Sequence, residues 1–383
     1  TFFRLYCFNE CKVNIGKRIL TDNKSNKIKE VMKRVLLIVA LVLGSTVLFA
    51  QKYNKNEVKQ LQSFLQQKSA KGDSNADRLE IVSINTPAAW KGVTWNNGRV
   101  VSIDWQDKDL AGDINLNGFS AMQKVNLSRN KITVVDATNC SALTDMNVSR
   151  NKLSELDLTG CIALVKLDCY KNRLTEIDLS TSPQLKNLNC SNNLFVEFNI
   201  QGSSALESLN VQGCHLESLN VDSCANLKNL YCGYNRLTNL NLFGTVNLQN
   251  LNMDDNNIRT MIMSKQPNLF TLFCSDNNMV TLDVLNCDAL TDLVCSYNNL
   301  TRLNLNGTDK LTFVDCSYND LTTLDLSNRY LLQRVLCNQN QLTMLDVSFC
   351  PNLVYINCRF NQLIDLRTIG DNNLRMIACQ WNY

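Results

Sequence analysis

The chain has 383 residues, 45% of them hydrophobic, which is enough for a sizeable core. It carries one histidine, His215, and 17 cysteines. The formal charge of +3 is uneven: residues 1–50 hold nine basic and three acidic side chains, which leaves the remainder at −3. A mildly acidic body without a basic block excludes nucleic acid as an expected partner.

Met32 opens MKRVLLIVALVLGSTVLFAQ, in which Lys33 and Arg34 precede an apolar run that ends near Ala50. A basic stretch, an apolar stretch and a small residue read as a signal peptide over 32–50. The run is shorter than the roughly 20 residues a membrane span needs, so no stable span is expected after cleavage. The destination implied is secretion or the cell surface and outer membrane. Met32 then reads as the start of the protein, and 1–31 as an untranslated or disordered leader whose Cys7 and Cys11 belong to no folded unit.

Segment 51–99 reads as a cap. Asn54 and Glu57 have capping-box spacing. They open a short predicted helix with Val58, Leu61, Phe64 and Leu65 on one face.

From residue 100 onward the chain repeats every 21 residues. Stepping by 21 from Met122 meets Leu143, Leu164, Leu185 and so on to Leu374, all apolar. A second column runs from Asn130 to Asn382 and holds asparagine in every coil but one, where Cys214 stands. The unit is LxxLx(C/L/V)xxNxLxxLDLxxxxx. Leu293 and Cys295 alternate with Val294 and Ser296, so each coil is expected to contribute one short strand. Stacked coils place these strands in a parallel sheet at roughly 4.8 Å spacing. Leu300, Leu303 and Leu305 also alternate, which predicts a second extended segment rather than a helix on the opposite side. The asparagines are expected to close the turn by bonding backbone groups of their own and the next coil. The first unit is irregular: Val100, Ile103 and Trp105 occupy the apolar columns, but it is one residue longer and has Lys108 in place of asparagine. The chain stops one residue after Asn382, midway through a coil, so a closing cap, a sorting domain or an effector domain is expected beyond Tyr383.

The first half of the unit resembles the leucine-rich-repeat signature LxxLxLxxN/C, in which cysteine is accepted in the asparagine column. The 21-residue form resembles leucine-rich repeats of secreted and surface proteins of Bacteroidetes-type bacteria and, more distantly, internalins. WKGVTW (90–95) resembles the Trp-x-Gly-Val-x-Cys element of N-terminal caps in such proteins, with Trp95 in place of the cysteine. The fold implied is a β-rich leucine-rich-repeat solenoid of about 13 repeats over 100–383 behind an N-terminal helical cap.

Cys169, Cys190, Cys232, Cys274, Cys295, Cys316, Cys337, Cys358 and Cys379 share one column with Leu127, Val148, Val211 and Met253. A position that exchanges with Leu, Val and Met is a core position, so these read as buried thiols. Parallel neighbours point the same way, which disfavours disulfides, and one thiol per coil makes no tetrahedral metal site. A second column holds Cys140, Cys161, Cys224, Cys287 and Cys350 with Ser182, Thr245 and Thr308, and reads as a tight corner. His215 reads as a surface histidine in a turn. No catalytic constellation, cofactor motif or metal motif emerges, so no enzyme is expected. Asp157, Asp178, Asp283, Asp325 and Asp346 form a further column with Asn199, Asn220, Asn241 and Asn304 that reads as structural or solvated, with weak cation binding left open.

Function is expected on the outward sheet face. The residue before each asparagine reads Arg129, Arg150, Lys171, Asn192, Gly213, Tyr234, Asp255, Asp276, Tyr297, Tyr318, Gln339, Phe360, Trp381. It begins basic, passes through acidic and ends aromatic. Tyr231, Phe273, Phe313 and Tyr355 add rings at other outward positions. Exposed rings mark a contact surface, although Tyr and Phe also favour strands in general. The expected function is binding of a protein or glycan, as in adhesion or recognition, through Tyr231, Tyr234, Phe273, Tyr297, Phe313, Tyr318, Tyr355, Phe360 and Trp381. The alternative is a passive envelope scaffold or spacer for a further C-terminal domain.

Overall fold

The computed structural model describes residues 53–200, 203–222, 224–263 and 266–382. The leader and the signal segment expected over 1–50 lie outside the described residues. Among the described residues no helix is long and apolar enough to cross a membrane.

Helix α1 (Lys55–Leu65) begins where expected, with the Asn54 side chain accepting from the N–H groups of Asn56 and Glu57. Only half of the expected capping box forms. Glu57 is buried, and it turns away from Asn54 to accept from Arg99 Nε and Val100 N. The carboxylate thereby clamps the helix to the first long strand. A one-turn helix α2 (Asn75–Arg78) follows, closed by a true capping box between Ser74 and Asp77. Trp90, Trp95 and Tyr53 pack together, and Trp105 stacks on Phe64 of α1. Gly92 has φ 77°, and a Cβ there would sit 2.3 Å from Asp104 O. No residue but glycine fits that approach.

Behind this cap the chain is a solenoid. Val93–Asn96 pairs antiparallel with Arg99–Asp104, and thirteen further strands add in parallel, ending at Met376–Ala378. Register follows the 21-residue step, as in Leu251↔Leu272, Leu272↔Leu293 and Leu293↔Val314. The longer first unit is absorbed without a slip, since Ile103 still faces Val125. The opposite side is extended but interrupted. Three short sheets form there, over Ala111–Asp157, Thr260–Asp283 and Leu324–Arg367, with single bridges such as Asn220↔Asn241 between them. A 21-residue coil leaves no room for a long helix.

The asparagine column ties coil to coil. Asn298 Nδ2 donates to Cys295 O and Ser296 O of its own coil, and to Cys274 O of the preceding coil. Its Oδ1 accepts from Met279 N, also in the preceding coil. Apart from Asn172, which makes three of the bonds, and Cys214, the same pattern recurs from Asn130 to Asn361, so the bonds run backward rather than to the next coil as expected. Where asparagine is missing, Asn130 Oδ1 still holds the N–H groups of both Lys108 and Leu110.

Both cysteine columns are core. None of the 15 cysteines among the described residues forms a disulfide, and all but Cys379 are buried. Cys169 Sγ lies 3.1 Å from Cys190 Sγ, a thiol contact rather than a bond. The second column is a donor column at a corner. The thiols of Cys140, Cys161, Cys287 and Cys350 point at the carbonyl oxygens of Leu116, Ala137, Met263 and Leu326 in the preceding coil. The expectation of small residues there fails at Gln266 and Arg329. Buried Arg329 donates to Thr308 O and Leu305 O, so a long side chain does the same work where its stem can lie in the core.

Candidate binding face

The nine expected contact residues fall into two groups. Tyr231, Phe273, Phe313 and Tyr355 sit within the sheet strands and are half-buried. Phe313 and Tyr355 flank Arg334 in register, and its guanidinium lies 5.4 Å from the first ring and 6.0 Å from the second. That cation satisfies both rings from within the chain. Arg334 was not among the expected contact residues, although its place 21 residues after Phe313 and 21 before Tyr355 puts it between them.

The other five are exposed: Tyr234 61%, Tyr297 49%, Tyr318 41%, Phe360 44% and Trp381 72%. All belong to the row just before the asparagine column. Every residue of that row from Arg129 to Trp381 has φ from 52° to 65°, in the left-handed region. The backbone must reverse there so that the next residue, asparagine, turns inward. Such a conformation costs a residue with a Cβ about 1–2 kcal/mol, and Gly, Asn or Asp meets it most readily.

The chain obeys that preference elsewhere. A second left-handed row on the opposite corner holds Gly118, Asn139, Gly160, Gly244, Asn286, Gly307, Asn328, Phe349 and Gly370, with one ring among nine. In the row beside the asparagines, Asn192, Gly213, Asp255 and Asp276 obey it, while five rings and the long polar Arg129, Arg150, Lys171 and Gln339 do not. The fold does not require rings there. Tyr297 and Tyr318 stack at 4.1 Å between centroids, and Phe360 and Trp381 at 5.7 Å, so the row forms two paired steps with Tyr234 standing apart. Hydrogen bonding to Tyr318 and, next, desolvation push the Tyr297 phenol above its usual range, and Asp276 and Asp315 add to the shift.

The remaining features are structural. His215 is exposed in a turn at φ 66°, beside buried Cys214. The aspartate column closes turns: Asp157, Asp178, Asp283, Asp325 and Asp346 each accept from the N–H two residues on, at 2.8–2.9 Å. A shallow groove of about 550 Å³ opens where the opposite strands are interrupted, lined by Glu155, Glu176, Glu197, Phe195 and Phe198. Among the described residues no group of three His, Cys, Asp or Glu is placed to hold a metal ion.

No protein-family model and no curated protein matches the chain. Solved structures do. The functional domain of InlJ from Listeria monocytogenes, described as including a cysteine ladder, matches at 27% identity and a TM-score of 0.53. That match covers 72% of this chain and only 55% of the other. The leucine-rich-repeat protein LIC12759 of Leptospira interrogans matches at 20% identity and TM-score 0.63, over 73% of this chain and 81% of its own. YopM of Yersinia pestis, a leucine-rich effector protein, matches at 23% identity and TM-score 0.58, over 71% and 78%. With its 21-residue coils, parallel sheet and asparagine column, the chain is a leucine-rich-repeat solenoid of the kind these bacterial proteins build.

Proposed function

We propose that this chain is a non-enzymatic recognition protein, exported to the cell surface or the medium, that binds a protein or glycan on its sheet face from about residue 227 onward. One observation carries the reading: five exposed rings occupy left-handed positions where glycine, asparagine or aspartate would serve the backbone better. Large rings with polar tips are the side chains that dominate contact surfaces. The bland account, that rings merely favour strands, covers Tyr231 and Phe273 but not residues in a left-handed turn.

The test is retention of a partner from surface extracts or a glycan panel by the immobilised chain. A variant with Tyr297→Ser, Tyr318→Ser and Phe360→Ser is expected to lose retention at least tenfold while its far-ultraviolet circular dichroism stays unchanged. Equal retention by variant and parent would sink the proposal and favour a passive scaffold.

A further inference from the structure

The ring row is interrupted by charge of one sign. From Asn229 to Tyr318 the strands of the main sheet, the left-handed row and the residue just before it carry Asp254, Asp255, Asp276, Asp292 and Asp315, and no lysine or arginine. Lys228 precedes the first of these strands and pairs with Glu207, and Arg236, Arg259 and Arg302 come after the row in their coils.

Three of these carboxylates are engaged. Asp254 accepts from Ser275 N at 2.7 Å and Asn252 Nδ2 at 2.8 Å. Asp292 accepts from Thr291 Oγ1 at 2.7 Å, and Asp315 from Ser317 N and Oγ at 3.0 and 2.6 Å. Asp255 and Asp276 differ. Both are exposed in the left-handed row, and among the described residues neither side chain accepts a hydrogen bond or pairs with a cation. They stand in consecutive coils between Tyr234 on one side and the stacked Tyr297–Tyr318 pair on the other.

Carboxylates set between ring faces suit a guanidinium, whose planar fork takes two bonds from a carboxylate while its face lies on a ring. The chain already uses this chemistry on the same face: Arg150 lies 5.2 Å from the Tyr170 ring, and Arg334 lies between Phe313 and Tyr355. At about 4.8 Å per coil, the four steps from Tyr234 to Tyr318 span about 19 Å, or about six residues of extended peptide.

Resting on the recognition reading above, we propose that this row holds an extended, arginine-bearing segment of a partner protein, its guanidinium groups bonded by Asp255 and Asp276 and stacked on Tyr234, Tyr297 and Tyr318. A cationic peptide, rather than a neutral glycan, is the ligand class the row selects.

The test uses the full chain and two short fluorescein-labelled peptides, one of alternating Arg and Gly and one of alternating Glu and Gly, read by fluorescence anisotropy. The Arg peptide is expected to bind and the Glu peptide not to bind. Salt should weaken the complex, because exposed charges are screened. Asp255→Asn together with Asp276→Asn should weaken it at least tenfold without changing the thermal midpoint, since asparagine accepts the left-handed conformation. Absence of binding, equal binding of both peptides, or indifference to the Asn pair overturns the proposal. If the Ser variant still loses its natural partner while the Asn pair keeps it, the charge proposal falls and the recognition reading stands. If neither variant loses it, both fall. Self-association that the Asn pair abolishes, seen by sedimentation without peptide binding, would make the occupant a second copy and overturn the proposal as well.

Discussion

Replacing Asn298 by alanine is expected to destabilise the solenoid by about 3–5 kcal/mol, read as a lower urea midpoint by circular dichroism. The side chain is buried and makes four bonds, three as donor and one as acceptor, that join two coils. Alanine leaves Met279 N without its side-chain partner and Cys274 O with only the long 3.4 Å bond from Asn277 Nδ2. Each buried polar group so stranded costs about 1–3 kcal/mol. Asn298→Cys should cost less. The chain has such a coil: Cys214 donates to Cys190 O at 3.3 Å and so keeps part of the pattern. A loss below about 1 kcal/mol for Asn298→Ala would show that the asparagine ladder follows the fold rather than holding it.

Alkaline pH is expected to unfold the protein well before its backbone chemistry suffers. Burial pushes the Cys232 and Cys287 thiols up to about 12, and Cys214, Cys350 and Cys358 up to about 11. Cys190, Cys274, Cys295 and Cys337 are driven well above the usual thiol range by the same cause. Folded values are raised above the unfolded value of about 8.5. The stability these thiols contribute is therefore complete below about pH 8.5 and is lost as pH rises toward the folded values. By pH 10 each thiol ionised only in the unfolded chain removes on the order of 2 kcal/mol, so a handful rivals a net stability of about 5–15 kcal/mol. In reductant, the urea midpoint should hold between about pH 6 and 8 and fall steeply by pH 10. Replacing Cys274, Cys295, Cys316 and Cys337 by valine should restore much of the loss, because that column accepts valine at Val148 and Val211. An identical alkaline loss in the valine variant would contradict the assignment.

Much of this fold was legible because a 21-residue period turns sequence spacing into spatial adjacency. Column identity then gave the core thiols, the inward asparagines and the strand face directly. Other features depend on backbone geometry, which the period does not encode. Tyr297 reads from sequence as an outward residue without structural duty, but alternation breaks at the turn, and the residue carries the left-handed reversal that aims Asn298 inward. Arg329 looks out of place in a column of Cys, Ser and Thr until its stem is seen to run through the core to the same carbonyl groups they serve. Glu57 carries the sequence mark of a helix cap, yet a nearby arginine and a strand N–H claim it. Partner choice among polar groups is decided in three dimensions, and there the column argument stops.

The central claim is that the rings before the asparagines serve contact rather than folding. Tyr297→Asn with Tyr318→Asn separates the two, because asparagine suits the left-handed backbone and removes the stacked pair. Relief of some fraction of the cost of about 1–2 kcal/mol per residue, since asparagine keeps a Cβ, meets a stacking loss of about 0.5–1.5 kcal/mol for the pair. Stability and partner retention should be measured on the same preparation. The account predicts an unfolding midpoint equal to or above that of the parent, with retention lost. A midpoint lowered by about 2 kcal/mol or more with retention intact would show that the rings belong to the fold, and would contradict it.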